Sequence, residues 1–275
     1  VFLGLLLLVI AYPLYFVVIA SFSDPTEVYT GKVLLWVKGF QTTGYKQVLM
    51  DHDVLIGYKN TLIYTIVGTL VNLAFTMTAG YALTTNFIGK KPISFLITFT
   101  MFFGGGMIPN YILVCRTLNL KNSLWALILP GLCGCYNLIL MKNYMNGLPQ
   151  SIEEAALIDG ASDVKVLIKI VLPLCKPILA TLSLFTIVGY WNSYFSSVLY
   201  TYKPEKYPLQ RVLREFISSD MVDELNAGEI EAQEMIQPFT AKMAVIMIAT
   251  LPVMCIYPFL QKYFMTGLVL GGVKE

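Results

Sequence analysis

Residues able to do acid–base, metal or nucleophilic chemistry are scarce in this chain. His52 is the single histidine, set in a polar loop between Asp51 and Asp53, and one histidine cannot build the usual zinc sites. The five cysteines (Cys115, Cys133, Cys135, Cys175, Cys255) lie in or beside apolar runs, where a thiol behaves as a small hydrophobe. Cys133 and Cys135 fall on different sides of a helix, which disfavours a disulfide or a metal pair. No G-x-x-x-x-G-K-[ST] occurs, so no P-loop is present. The chemistry on offer is hydrogen bonding and ring stacking. Asn72 and Asn137 lie deep in apolar runs, and Trp191, Asn192, Tyr194 and Phe195 cluster in another. Polar groups at membrane depth face protein or a water-filled cavity. Interhelical hydrogen bonds for the asparagines and an interfacial belt for the rings are the alternatives.

A second polar constellation spans 146–174. Ser151-Ile152-Glu153-Glu154 reads as a capping box, with Ser151 at the N-cap and Glu154 at N3. A short helix then runs to Asp159, and Gly160 suits the left-handed residue that ends it. Ser162 or Asp163 can cap a second helix through Ile170, which Pro173 stops. The expectation is helix, glycine turn, helix beside the membrane, with Ala155 and Ala156 leaving a shallow surface for another protein.

The elements that must position these groups are apolar helices. The chain is 56% hydrophobic and 13% charged, with mean hydropathy +0.67, whereas a soluble domain carries roughly a quarter charged residues. The net charge of +2 gives no case for nucleic acid. Six runs reach the ~20 residues needed to cross a bilayer: about 1–21, 58–84, 93–115, 123–145, 175–200 and 240–263. None carries a mid-span charge, and none alternates as a barrel strand would. The chain opens at Val1 inside an apolar run, read as a span rather than a removable signal. Prolines 13, 109, 130, 252 and 258 and the triplet Gly104-Gly105-Gly106 punctuate the spans and invite bends. Residues 22–57 read as loop, and 201–239 as a short amphipathic helix at 209–217 followed by an acidic run.

The hairpin resembles the EAA loop of ABC importer permeases: Glu154-Ala155-Ala156, then Asp159-Gly160-Ala161, with Ile170 and Leu172-Pro173 at the family's spacing. Asn60-Thr61, Ala79-Gly80-Tyr81-Ala82-Leu83, Tyr190-Trp191-Asn192 and the F-x-G-G-x-I-P-x-Y run from Phe103 to Tyr111 are similar to carbohydrate importers. They point to the branch like the smaller maltose permease and the alginate-type importers. The ending Phe264 to Lys274 resembles the family's F-x-x-G-x-x-x-G-x-V-K tail, with Gly272 where alanine is usual and Glu275 where glycine is. The resemblance implies one all-α transmembrane domain over 1–275, six helices, and a cytoplasmic coupling hairpin between the fourth and fifth. It implies that Glu154, Ala155, Ala156, Asp159, Gly160, Ala161, Gly271, Gly272 and Lys274 meet the ATPase. Asn72, Asn137, Trp191, Asn192, Tyr194 and Phe195 are then candidates for an oligosaccharide path. No metal or cofactor is expected on this chain, ATP and Mg being held by the ATPases. The implied partners are a second, different permease, two ATPase subunits, an extracytoplasmic sugar-binding protein that 201–239 would touch, and the lipid. The expected setting is the bacterial cytoplasmic (inner) membrane, with the hairpin and C-terminus cytoplasmic. An ion-coupled secondary sugar transporter is the rival; the lack of mid-span charge counts against it.

Overall fold

In the computed structural model, residues 2–215, 218, 240–256 and 258 are described, and every regular element among them is helical. They divide into two compact units, one within Val1–Thr61 and Tyr202–Cys255, the other within Leu62–Thr201 and Ile256–Glu275.

The first unit opens with α1 (Phe2–Ser21), twenty almost wholly apolar residues exposed along most of their length. The stretch 22–57, expected as loop, holds two short helices, α2 (Pro25–Tyr29) and α3 (Thr43–Met50). Asp24 caps α2 by accepting from the Thr26 N–H at 2.8 Å, and Pro25 presets its first turn. The long helix α4 (His52–Thr84) starts six residues before the expected span. Asp51 Oδ1 accepts from the N–H groups of Asp53 and Val54 at 2.8 and 3.0 Å, so His52 is a first-turn residue and not part of a loop. Further on, residues 209–215 are helical, with Leu209 and Leu213 buried. Asn60 and Thr61 hold this segment: the Asn60 amide donates to the carbonyls of Glu205 and Tyr207 at 2.8 and 3.0 Å, and Thr61 Oγ1 accepts from the Leu209 N–H at 2.7 Å. The remainder of 209–217 beyond Glu215 and the acidic run through Glu234 lie outside the described residues.

The second unit takes α4 from Leu62 and adds a series of broken helices. Helix α5 (Lys90–Phe102) and α6 (Met107–Ile112), the latter continuing as a π turn at Leu113–Thr117, meet at 115°. The break falls on Gly104–Gly106, where Gly106 has φ +87. Helix α7 (Leu124–Ile128) passes through a 3-10 turn at Leu129–Gly131 and bends by 53° into α8 (Cys135–Asn146). The expected span 175–200 is likewise not one helix. Helices α9 (Gln150–Ile158) and α10 (Asp163–Val166), a π turn at Leu167–Val171 and α11 (Leu172–Leu174) precede an 80° bend at Cys175 into α12 (Lys176–Trp191). Residues 192–194 then separate α12 from α13 (Phe195–Tyr200). Back in the first unit, α14 (Thr240–Ile256) covers the described part of the expected sixth span. Among the described residues α1 and α4 are each long and apolar enough to cross a membrane, and counting each of the three bent pairs as one span brings the number to at most five.

Candidate functional site

Two places in the second unit gather the predicted residues. The first is the hairpin of α9 and α10. Its N-terminus departs from the expected capping box. The N-cap is Pro149, which has no side-chain acceptor, and the helix begins at Gln150. The ring of Pro149 fixes φ at −63 and starts the helix ahead of Ser151, so Ser151 sits inside the first turn. The C-terminus follows the sequence reading. Gly160 has φ +80, its N–H donates to Leu157 O, and the Ala161 N–H donates to Ala156 O, each at 3.0 Å. This is the Schellman arrangement, which satisfies the orphan carbonyls at the helix end.

The hairpin has two unlike faces. Ala156 and Ala161 turn inward onto a core of Met77, Tyr81, Met141, Met145 and Cys175, continued by Ile178 and Leu182 on α12. Glu153 is half-buried on the same side, and burial raises its carboxyl above the ordinary range. On the other face Glu154, Ala155, Asp159 and Gly160 are exposed, and Ile158 presents 85% of its surface. The structure thus divides the predicted hairpin residues between an outward set and two inward alanines. Sequence reasoning missed Ile158 and Glu153, whose side depends on the helix phase. Gly271, Gly272 and Lys274 lie outside the described residues.

The second place is a cavity of about 260 Å³ at the breaks between α7 and α8 and between α12 and α13. Asn72, Asn137, Thr186, Tyr190, Ser193 and Ser196 supply its polar wall, and Leu127 and Pro130 part of its apolar one. Among the described residues no charged side chain lines it. Asn72 and Asn137, 65 positions apart in number alone, therefore meet at one site. The buried Asn72 amide donates to Gly131 O and Leu132 O at 3.0 and 2.9 Å, the carbonyls freed where α7 stops. Tyr190 donates to Ile128 O at 3.4 Å. Trp191 is off the cavity, with its ring in the core and 1% exposed. Asn192 and Phe195 are exposed and Tyr194 half-buried, and none of the three lines the cavity. The residues that sequence reasoning did not single out for this wall are Thr186, Tyr190, Ser193 and Ser196. The first three recur at i, i+4 and i+7, the spacing of one helix face, which is the signal that could have found them. N-terminal to Asn72 on α4, Thr65 and Thr69 continue a buried polar row, and their hydroxyls have no hydrogen-bond partner among the described residues.

Broken apolar helices around an uncharged polar cavity, with a two-faced helical hairpin between two of them, define a membrane transport permease. The chain belongs to the family described as binding-protein-dependent transport system inner membrane component, which its residues 2–268 match. It is 40% identical, over 99% of its length and 96% of the relative's, to the polygalacturonan/rhamnogalacturonan transport system permease protein YtcP of Bacillus subtilis. It is 28% identical to the maltodextrin transport system permease protein MdxG of the same organism, over 99% of this chain and 94% of that one. Among solved structures it resembles a bacterial ABC transporter involved in the import of the acidic polysaccharide alginate. The TM-score is 0.85 at 34% identity, covering 96% of this chain and 94% of that one. The chain is thus an ABC importer permease, a transport component rather than a catalytic one, and the ion-coupled alternative falls away. Permeases of this class work with a partner permease, an ATPase and a binding protein.

Proposed function

We propose that this chain is one of two different permeases in an ATP-driven importer of acidic oligosaccharides. The cavity at the α7–α8 and α12–α13 breaks carries this reading. It offers amide, hydroxyl and phenol groups able to bond sugar hydroxyls, and among the described residues it has no carboxylate to repel a uronate. The relatives add the substrate class, since YtcP is named for polygalacturonan and rhamnogalacturonan and the structural neighbour for alginate. Asn137, Thr186, Tyr190, Ser193 and Ser196 touch the sugar, whereas Asn72 chiefly holds the broken helix open. Trp191, Asn192, Tyr194 and Phe195 support or border the path. The Thr65 and Thr69 hydroxyls, without a partner among the described residues, extend it along α4, because a buried hydroxyl without a partner costs about 1–3 kcal/mol that water or cargo can offset.

Coupling runs through the hairpin. The outward face, with Glu154, Ala155, Ile158, Asp159 and Gly160, docks on a cytoplasmic ATPase, and Ala156 and Ala161 tie the hairpin to α4, α8 and α12. A push on the outer face is then delivered to the helices that line the cavity, shifting the bundle between two access states. Two ATPase subunits hold the ATP and Mg, this chain holds no cofactor, and the tail with Gly271, Gly272 and Lys274 reaches the same subunits. An extracytoplasmic sugar-binding protein delivers the cargo.

The test is purification of the tagged chain in mild detergent, identification of what co-elutes, and reconstitution of that complex with the binding protein. ATP-dependent uptake of oligogalacturonate into vesicles is the expected result. Uptake of neutral maltodextrin alone would overturn the acidic cargo, and recovery of the chain without an ATPase would overturn the coupling scheme.

A further inference from the structure

The second half of the hairpin leads from the Gly160 turn through α10, the π turn and α11 into α12, and its backbone bonds carry through the bend. The Val166 N–H donates to Ser162 O, the Cys175 N–H to Val171 O and the Leu179 N–H to Cys175 O, each at 2.9 Å. The segment Asp163–Leu174 stands at 80° to α12. Transmembrane helices tilt by about 20° from the bilayer normal, so a segment at that angle to α12 lies within about 30° of the membrane plane. Its level is set by Lys176, the first residue of α12. An ammonium group is costly in hydrocarbon, so the segment runs for about 18 Å at the height of the lipid headgroups.

One face of this segment is packed. Val166 and Val171 are buried, and Leu167 and Ile170 join them on a core that includes Met77, Met141 and Met145. The outer surface carries two neighbouring rows. Val164, Ile168 and Leu172 recur every four residues and expose 64%, 56% and 38% of their surface. Beside them Lys165, Lys169 and Lys176 are exposed, and none of the three has an ion-pair partner among the described residues. No Asp or Glu occurs from Val164 to Pro204, so nothing nearby in the chain offsets this charge. An apolar row flanked by lysines, held in the interface plane, is the pattern of an amphipathic helix lying on a bilayer.

We propose that Lys165, Lys169 and Lys176 dock the headgroups of anionic phospholipid in the leaflet on the hairpin's side, with Val164, Ile168 and Leu172 seated against the upper acyl chains. Lipid is the occupant because the two rows lie at headgroup height and join positive charge to apolar surface. The hairpin face offered to a soluble partner has the opposite sign, with Glu154 and Asp159 exposed. Each lysine beside an anionic leaflet is worth roughly fivefold in lipid partition. For the test, the complex purified in mild detergent is reconstituted in phosphatidylcholine with a trace of phosphatidylglycerol that carries a diazirine at its headgroup. Illumination should label 163–176 of the wild-type complex, and a phosphatidylcholine probe with the same diazirine should label it about tenfold less. The Lys165→Gln/Lys169→Gln/Lys176→Gln variant should lose about tenfold or more of the phosphatidylglycerol labelling at 163–176, with labelling elsewhere in the chain unchanged. The corresponding triple arginine variant should keep it. Equal labelling by the two probes, or full labelling of the glutamine variant, would mean apolar contact without headgroup recognition and overturn the proposal. An unlabelled segment would mean a protein cover, such as the ATPase, and would overturn it equally.

Discussion

Gly68 is where one methyl group should disturb the cavity wall. A Cβ there would stand 2.7, 2.8 and 3.0 Å from three atoms of the Tyr190 ring. Carbon atoms rest at about 3.5–4.0 Å, so in Gly68→Ala the ring must retreat by roughly 1 Å. The ring is rigid, it is borne on α12, and its hydroxyl bond to Ile128 O is already 3.4 Å long, so the bond breaks as the ring moves. Overpacking of this kind costs about 1–3 kcal/mol, roughly a 5- to 150-fold change in an equilibrium. Gly68→Ala should therefore lower the melting temperature of the reconstituted complex by a few degrees and raise KM for sugar uptake. Tyr190→Leu in the same chain removes the clashing ring. The double variant should be more stable than the sum of the two single effects by at least about 0.5 kcal/mol. A wild-type melting temperature for Gly68→Ala, or strictly additive effects, would refute the close approach of α4 and α12 and with it the shape of the cavity.

Three further outcomes follow from the same geometry. Asn72→Leu deprives Gly131 O and Leu132 O of their donors; at about 0.6–1.7 kcal/mol per interhelical bond, thermal unfolding should show a loss of roughly 1–3 kcal/mol. Gly160→Ala meets nothing within 4 Å, so its cost is conformational, about 1–2 kcal/mol for leaving glycine at φ +80; sugar-stimulated ATPase should fall, and Gly160→Asn should retain more of it. Glu153 has a carboxyl raised by burial, so the folded protein binds its proton more readily than the unfolded chain does. Its contribution is therefore favourable at low pH and is lost as pH rises through the window just above the ordinary carboxylate value of about 4.3. Melting curves across that window should show Glu153→Gln losing less stability than the wild type as pH rises.

What the sequence revealed and what it hid divide along physical lines. Apolar runs and the Gly160 turn are local: hydropathy and one left-handed residue specify them, and the structure keeps both. Gly104–Gly106 announced a bend for the same reason. The helix stop read at Pro173, ahead of the span from 175, reappears as the bend at Cys175. The break at 192–194 was not legible, because Trp191, Asn192, Tyr194 and Phe195 read as parts of one span and composition does not give backbone direction. The capping box failed by two residues. Pro149 started α9 early, and Ser151 lost the position its side chain needed. Asn72 and Asn137 were legible as polar groups at depth, but their shared wall required knowing where α7 ends. Trp191 carried the strongest sequence signal for stacking and proved to be core. Its neighbour Tyr190, one residue and about 100° around the helix away, faces the cavity instead.

The central claim is that the outward face of α9 meets the ATPase while the inward face ties it to the helices around the cavity. It is tested most directly by placing a benzophenone photocrosslinking residue at Ile158 in one sample and at Ala156 in another, within the assembled complex. The account predicts an illuminated crosslink from position 158 to an ATPase subunit, and from position 156 only within this chain. Equal capture of the ATPase from both positions, or from neither, would contradict it.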